Sequence, residues 1–233
     1  RLLIILPVID PGGGAYVIIQ EAKSMIDMGV DVRLFNLEDH KAIFEENFPD
    51  LNVPVVYGQE KDIANIGRDY DSVMATVNFT VNWLEPLADD NKINLAYYIQ
   101  DFEPHFYLQG SPEFSNAWES YYKIKNMINI TKTNWNKEII KKNIGVKCKT
   151  IGPSVDIDLF RPRERMERID ESIYIGAMIR PSTPRRNPQF TLEVLKDLKR
   201  KYNNKIKIIT FGCSEEEFLS ICENLDNIYY HIG

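Results

Sequence analysis

The sequence predicts an α/β protein made of two successive doubly wound parallel-sheet domains, the second incomplete. Three observations carry this expectation. Apolar runs of strand length alternate with helix-periodic stretches from Leu2 to Ile151, an order that calls for a parallel sheet covered on both faces. A charged, aperiodic break follows at Arg161–Glu171, with four arginines and four acids. Beyond it the alternation starts again. The expected domains are therefore residues 1–160 and 172–233, joined by a solvated linker at 161–171.

The elements follow in order. Leu2–Val8 reads as a buried strand, apolar on both faces. Ala15, Ile18, Ile19, Ala22, Met25 and Ile26 then fall on one face of a helix, which Gly29 ends. Val30–Leu37, Val53–Tyr57, Ser72–Val77, Asn94–Gln100, Met127–Thr131 and Lys147–Ile151 are further strands. Helices around Ala64, Trp83, Trp118 and Ile139 separate most of them. After the break come strand Ser172–Ala177, helix Pro188–Lys201, strand Lys205–Phe211, helix Ser214–Glu223 and strand Asn227–Ile232. A doubly wound sheet usually has five or six strands, so the second domain is expected to continue past Gly233. The start at Arg1 likewise suggests missing residues in front.

Composition narrows the function. The chain of 233 residues is 44% hydrophobic and 27% charged, ordinary for a packed globule. No apolar run approaches the roughly 20 residues that a membrane-spanning helix needs. Three cysteines form no CxxC pair and three histidines are scattered, which excludes a zinc ribbon and a disulfide scaffold. Sparse cysteine suits a cytoplasmic location. Residues 1–131 carry nine Lys and Arg against twenty Asp and Glu, whereas residues 132–233 carry nineteen against fourteen. An acidic first half argues against nucleic acid as a partner, and a basic second half suits a small anion such as a nucleotide diphosphate or, equally, a differently charged solvated surface.

Ligands of open α/β sheets bind beyond the carboxyl ends of the strands. Three stretches fall there. Gly12, Gly13 and Gly14 join the first strand to its helix, where glycine allows close backbone approach and the helix N-terminus attracts anions. The loop lacks the Walker A lysine and does not match GxGxxG; a plain tight turn is its bland reading. Tyr98-Ile-Gln-Asp-Phe-Glu-Pro-His105 ends another strand. Of its two acids, Asp101 and Glu103, one is expected to orient an acceptor hydroxyl while the other holds the loop. His105 is an alternative base, and the aromatic residues around it suit a sugar ring or, for Tyr97 and Phe106, ordinary packing. The third stretch, Arg180-Pro-Ser-Thr-Pro-Arg-Arg186, follows the first strand of the second domain. It runs into Asn187-Pro188, an expected N-cap with proline at the first helical position. Arg180, Arg185 and Arg186 beside a helix N-terminus point to an anion site. No metal site is expected: Asp69-Tyr-Asp71 precedes its strand, and Asp156-Ile-Asp158 lies in a connection. Lys132–Lys149 holds six lysines and one acid, and reads as a solvated helix face or a surface for anionic lipid.

In this order the features resemble the GT-B glycosyltransferases, in the large group that includes retaining sugar-nucleotide transferases (GT4-like). The opening strand with Gly12–Gly14 looks like the acceptor-domain glycine loop. Thr133-Asn-Trp through Ile151-Gly-Pro-Ser-Val-Asp-Ile-Asp-Leu-Phe-Arg-Pro162 is similar to the interdomain segment, with Ser154 where glycine is usual. Ile173-Tyr-Ile-Gly176 looks like the start of the donor domain, and Ile206–Gly212 like the strand approaching the nucleotide, which places Gly212 near it. The usual Gly-Arg pair reads Gly176-Ala177, so the diphosphate role passes to the arginine loop. Asp101 stands where a histidine is common, and Gln100-Asp-Phe-Glu-Pro104 resembles rhamnosyltransferases of bacterial surface glycans. The paired-glutamate motif would fall beyond Gly233, so this fragment is expected to be inactive alone. The resemblance implies two Rossmann-like domains and metal-independent transfer, with retention, from a nucleotide-diphosphate sugar to a glycan or lipid-linked glycan acceptor. With sparse cysteine and the lysine-rich stretch, the expected location is the cytoplasm, with peripheral association at the inner face of the membrane as an option. A non-catalytic nucleotide-sugar-binding or scaffold subunit is the alternative. An NAD-dependent dehydrogenase fits less well, because GxGxxG is absent and Asn36-Leu37 precede the acid, Glu38, that would close the second strand.

Overall fold

Every strand in the first sheet runs parallel to its neighbours, as strand–helix alternation requires. The computed structural model describes residues 1–152, 154–164 and 171–222, and the backbone of 230–232. Most of the expected linker (165–170), Pro153 of the interdomain motif, and 223–229 at the start of the expected last strand lie outside the described residues. The chain divides into two units, Arg1–Arg161 and Pro162–Gly233.

In the first unit the strands are β1 (Leu2–Ile5), β2 (Val32–Leu37), β3 (Val55–Gly58), β4 (Ser72–Ala75), β5 (Asn94–Ile99), β6 (Ile128–Thr131) and β7 (Lys149–Thr150). Their order is β3-β2-β1-β4-β5-β6-β7. The helices are α1 (Gly13–Asp27), α2 (Lys41–Asn47), α3 (Ile63–Ile66), α4 (Asn78–Trp83), α5 (Pro112–Glu119) and α6 (Asn134–Ile144). Strands are shorter than the apolar runs suggest. β1 stops at Ile5 because Pro7 has no N–H to donate, and Val8 N turns back to the Leu6 carbonyl at 2.9 Å. Helix α2 was not expected; its two turns are too short to show a period, and Phe44 alone anchors it in the core.

Alternate residues of each strand enter different cores. Leu3, Ile5, Val73, Ala75, Tyr97 and Ile99 pack on one face, and Ile4, Leu6, Leu34, Met74, Ala96 and Tyr98 on the other. Helix α1 lays Ala15, Ile18, Ile19 and Ala22 onto the second face. Burying a side chain such as Ile18 stabilises the fold by about 1.5–3 kcal/mol, so tertiary packing, not propensity, holds a helix that begins with two glycines. Gly29 follows α1 at φ +88°, the left-handed position where glycine relieves backbone strain.

The second unit contains β8 (Ile173–Met178), β9 (Ile206–Phe211) and β10 (Tyr230–Ile232), ordered β10-β9-β8 and all parallel. Helices α7 (Pro188–Tyr202) and α8 (Glu215–Ile221) accompany them. The core of this unit is Ile179, Leu192, Leu195, Ile206, Ile208 and Phe218. A capping box starts α8: Glu217 N donates to Ser214 Oγ at 3.2 Å, and Ser214 N donates to Glu217 Oε2 at 3.1 Å.

Candidate active site

The strand order places a switch point between β1 and β4, because the chain winds outward from β1 through β2 and β3, then from β4 through β5 to β7. Loops leaving the carboxyl ends of these two strands diverge, and the crevice between them is where such a sheet accepts a ligand. Thr76 joins the two ends directly, its Oγ1 donating to the Ile5 carbonyl at 2.6 Å.

The glycine loop lies at this crevice. Gly12 is the N-cap of α1 in extended conformation, and no side chain caps the helix. A Cβ at Gly12 or Gly13 would meet nothing within 4 Å, whereas one at Gly14 would lie 3.1 Å from Gln100 Nε2. Packing against Gln100 therefore accounts for Gly14. The protein itself makes no steric demand for glycine at positions 12 and 13; a ligand approaching the helix end would.

Gln100, at the end of β5, links three segments. Its Nε2 donates to the Gly14 carbonyl at 3.3 Å, its Oε1 accepts from Lys132 Nζ at 3.0 Å, and its own carbonyl accepts from Asn136 Nδ2 at 3.1 Å. Beside it, Glu21 Oε1 accepts from Tyr98 Oη and Ser154 Oγ, both at 2.6 Å. Burial lowers the Lys132 pKa, against the opposing pull of the Glu21 and Asp101 carboxylates. Thr76 and Glu21 join this candidate site without any signal in the sequence, and Lys132, read there as part of a solvated lysine-rich face, is half-buried in it. Their partners lie up to 133 positions away, and no spacing rule signals them.

Asp101 and Glu103 are separated by burial. Asp101 is half-buried on the loop, and its Oδ1 accepts from Phe102 N at 2.8 Å. Glu103 is 4% exposed. Its Oε2 accepts from the Asn78 backbone N–H at 2.8 Å, at the first residue of α4, and its Oε1 accepts from Tyr97 Oη at 2.7 Å. Burial pushes the Glu103 carboxyl up to about 7, against these two hydrogen bonds. Glu103 thus ties β5, α4 and the loop together, while Asp101 remains half-buried on that loop. His105 is exposed, its ring edge-on to Phe102 at 4.8 Å. Packing was the expectation for Phe106, yet its ring is exposed; the turn over Glu103–Phe106 directs Glu103 and Pro104 inward instead.

An apolar cavity of about 500 Å³ adjoins the glycine loop, lined by Gly13, Tyr16, Val17, Val155, Leu159 and Phe160 among others. Asp156, half of the second D-x-D, holds the turn beside it: its Oδ1 accepts from the backbone N–H groups of Asp158 and Leu159.

In the second unit, the arginine loop and Gly212 meet at the carboxyl ends of adjacent strands. Ile179 N donates to the Phe211 carbonyl at 2.8 Å, extending the β8–β9 ladder to the loop. Gly212 has φ +103°, and a Cβ there would lie 3.0 Å from Met178 Cγ and 3.5 Å from Arg180 Cγ. The backbone conformation favours glycine, and the close Met178 side chain adds a steric reason. Arg180, Arg185 and Arg186 are all exposed, with Arg186 Nη1 lying 3.6 Å from Met178 Sδ. Asn187 does not cap α7 with its side chain. It adopts the left-handed conformation (φ 49°), not the extended one from which an N-cap side chain accepts from the first turn.

No family model and no curated protein matches the sequence. Solved structures do match in shape. Anabaena HepE, crystallised with UDP and glucose, superposes with a TM-score of 0.72 at 13% identity, covering 100% of this chain and 69% of HepE. The chain has the GT-B fold. Sucrose-phosphate synthase from Thermosynechococcus elongatus matches at 0.67 and 12% identity, covering 100% of this chain and 70% of the synthase. The lipopolysaccharide outer core galactosyltransferase WaaB matches at 0.62 and 12%, covering 100% and 68%. Within this GT-B chain, the glycine loop, Gln100 and Asp101 belong to the first unit, and the arginine loop with Gly212 to the second. No group of His, Cys, Asp and Glu among the described residues could hold a metal ion, and no helix among them is long and apolar enough to cross a membrane.

Proposed function

We propose that this protein is a glycosyltransferase that moves a sugar from a nucleotide-diphosphate donor to a hydroxyl of a glycan or lipid-linked glycan. The observation that carries the reading is the convergence of Arg180, the Arg185–Arg186 turn and Gly212 at one end of the second sheet. The UDP and UDP-glucose bound by HepE, a protein of the same fold, support it. The bond from the anomeric carbon to the diphosphate oxygen breaks, and its electron pair stays with the diphosphate. Arginines stabilise the charge that grows there without needing a metal ion. Asp101 orients the acceptor oxygen, which forms the new bond to the anomeric carbon while its proton passes to the departing diphosphate oxygen. Retention of configuration, a rhamnosyl donor and a role in bacterial surface polysaccharide are the finer parts of the proposal. Retention rests on the resemblance to the wider GT-B group, and the rhamnosyl donor and surface polysaccharide on Gln100–Pro104. A cytoplasmic site of action beside the membrane rests on sparse cysteine and the lysine-rich stretch.

The test is a titration of Arg180→Ala, Arg185→Ala and Arg186→Ala variants with UDP and with uridine. A charge-assisted hydrogen bond contributes about 1.5–3 kcal/mol, so at least one variant should bind UDP roughly 10- to 150-fold more weakly and uridine almost unchanged. Equal losses for both ligands, or no loss in any variant, would remove the diphosphate from this loop.

A further inference from the structure

The lysine-rich stretch takes a defined shape in the fold. Lys137 and Lys141 project from α6, Lys147 comes from the loop after it, and Lys149 from β7; all four line one cavity of about 530 Å³. Met127, Ile128, Asn129 and Cys148 complete the lining, so it contains no carboxylate. Among the described residues none of the four lysines forms an ion pair. The cavity opens at the amino ends of β6 and β7, because α6 runs back from Thr131 and reaches Lys141 at the opposite end of the strands. It is therefore separate from the glycine loop and Asp101, which lie at the carboxyl ends.

Two simpler roles cover only part of this arrangement. Lysines in the last turn of a helix offset its dipole, which accounts for Lys141. A lysine on an edge strand discourages pairing with another sheet, which accounts for Lys149. Neither role brings Lys137 and Lys147 to the same cavity. Its floor also holds a buried acceptor. Asn129 is 7% exposed; its Nδ2 donates to the Tyr121 carbonyl at 3.1 Å, and its Oδ1 has no hydrogen-bond partner. Lysine is a point charge that serves phosphate groups well, and four of them exceed what one carboxylate needs.

We propose that this pocket binds a hydroxyl-bearing phosphate group, with the four lysines around the phosphate and Asn129 Oδ1 accepting from the hydroxyl. A free small phosphate ester and a glycerophosphate lipid headgroup share this chemistry.

The experiment follows amide and lysine side-chain NMR signals of residues 127–149 in the full chain. The probes are glycerol 3-phosphate and, separately, vesicles of phosphatidylcholine with and without phosphatidylglycerol. Position-specific signals keep this pocket distinct from the arginine loop. Shifts confined to this segment with glycerol 3-phosphate support a free ligand; binding only to phosphatidylglycerol vesicles supports the headgroup. In either case Lys141→Gln and Lys147→Gln, both at exposed positions, should each weaken binding by about tenfold or more. Phosphate should bind more weakly than glycerol 3-phosphate, because it lacks the alcohol that Asn129 accepts. No shift with either probe, or shifts that both variants retain at full affinity, would overturn the proposal.

Discussion

Glu103 holds its carboxyl inside the core of the first unit, among Tyr97, Tyr121 and the N–H of Asn78. The carboxyl titrates near 7 there, against an ordinary value of 4.5, because burial disfavours the charged form; the Asp101 carboxylate adds to the rise. The folded state therefore holds the proton more tightly than the unfolded chain. The stability this contributes is present in full below about pH 4.5 and is lost as pH rises toward 7. Glu103→Gln, which has no proton to lose, should abolish that slope, on the order of 3 kcal/mol across the window. Urea unfolding of both proteins between pH 4.5 and 8 measures it; equal slopes would place the titration elsewhere. Asp101→Asn belongs to the same loop and should behave differently. If Asp101 orients the acceptor, its loss in a catalytically active form of the whole protein should cut turnover by about 100-fold or more while leaving UDP affinity within twofold. Matching losses of turnover and UDP affinity would assign it to the donor instead.

At the scale of elements, the start of α1 separates structural from functional glycine. A Cβ at Gly13 meets nothing in the protein, and alanine costs less conformational entropy to order. Gly13→Ala should therefore raise unfolding free energy by about 0.5–1 kcal/mol. If an acceptor packs against this turn, the same change in a catalytically active form of the whole protein should lower turnover. Stability and activity moving in opposite directions would mark the loop as a contact, whereas unchanged turnover would leave it a plain turn. Gly14→Ala should gain less, since its methyl group would displace Gln100 and, through it, Lys132.

The two units differ in the extent of their buried cores. The first has a core on each face of its sheet. The described part of the second has one small core, built on Ile179, Leu192, Leu195, Ile206, Ile208, Phe218 and Cys222. Residues 1–161 expressed alone should therefore unfold in a single cooperative transition, whereas residues 162–233 alone should show weak or no cooperativity. Calorimetry on the two pieces checks this. A cooperative transition from the smaller piece would show that its single core suffices.

Local order decided most of the architecture. Apolar runs and helical periods are written residue by residue, so β1 to β9, α1 and α7 were legible in the sequence, as was the restart after Arg161. Backbone chemistry trimmed the ends: Pro7 shortened β1, and the left-handed Asn187 replaced a side-chain cap with a turn. The glycine loop, Asp101 and the arginine loop were legible as candidates because the carboxyl end of a strand is visible in the chain order. The division of labour between Asp101 and Glu103 was not, since two acids one residue apart look alike until one of them is buried against Tyr97. The Gln100–Lys132 bond, the Glu21–Ser154 bond and the convergence of four lysines join distant positions. Such contacts exist only once the sheet has set its strand order, because sequence fixes which groups are available while tertiary packing fixes which of them meet.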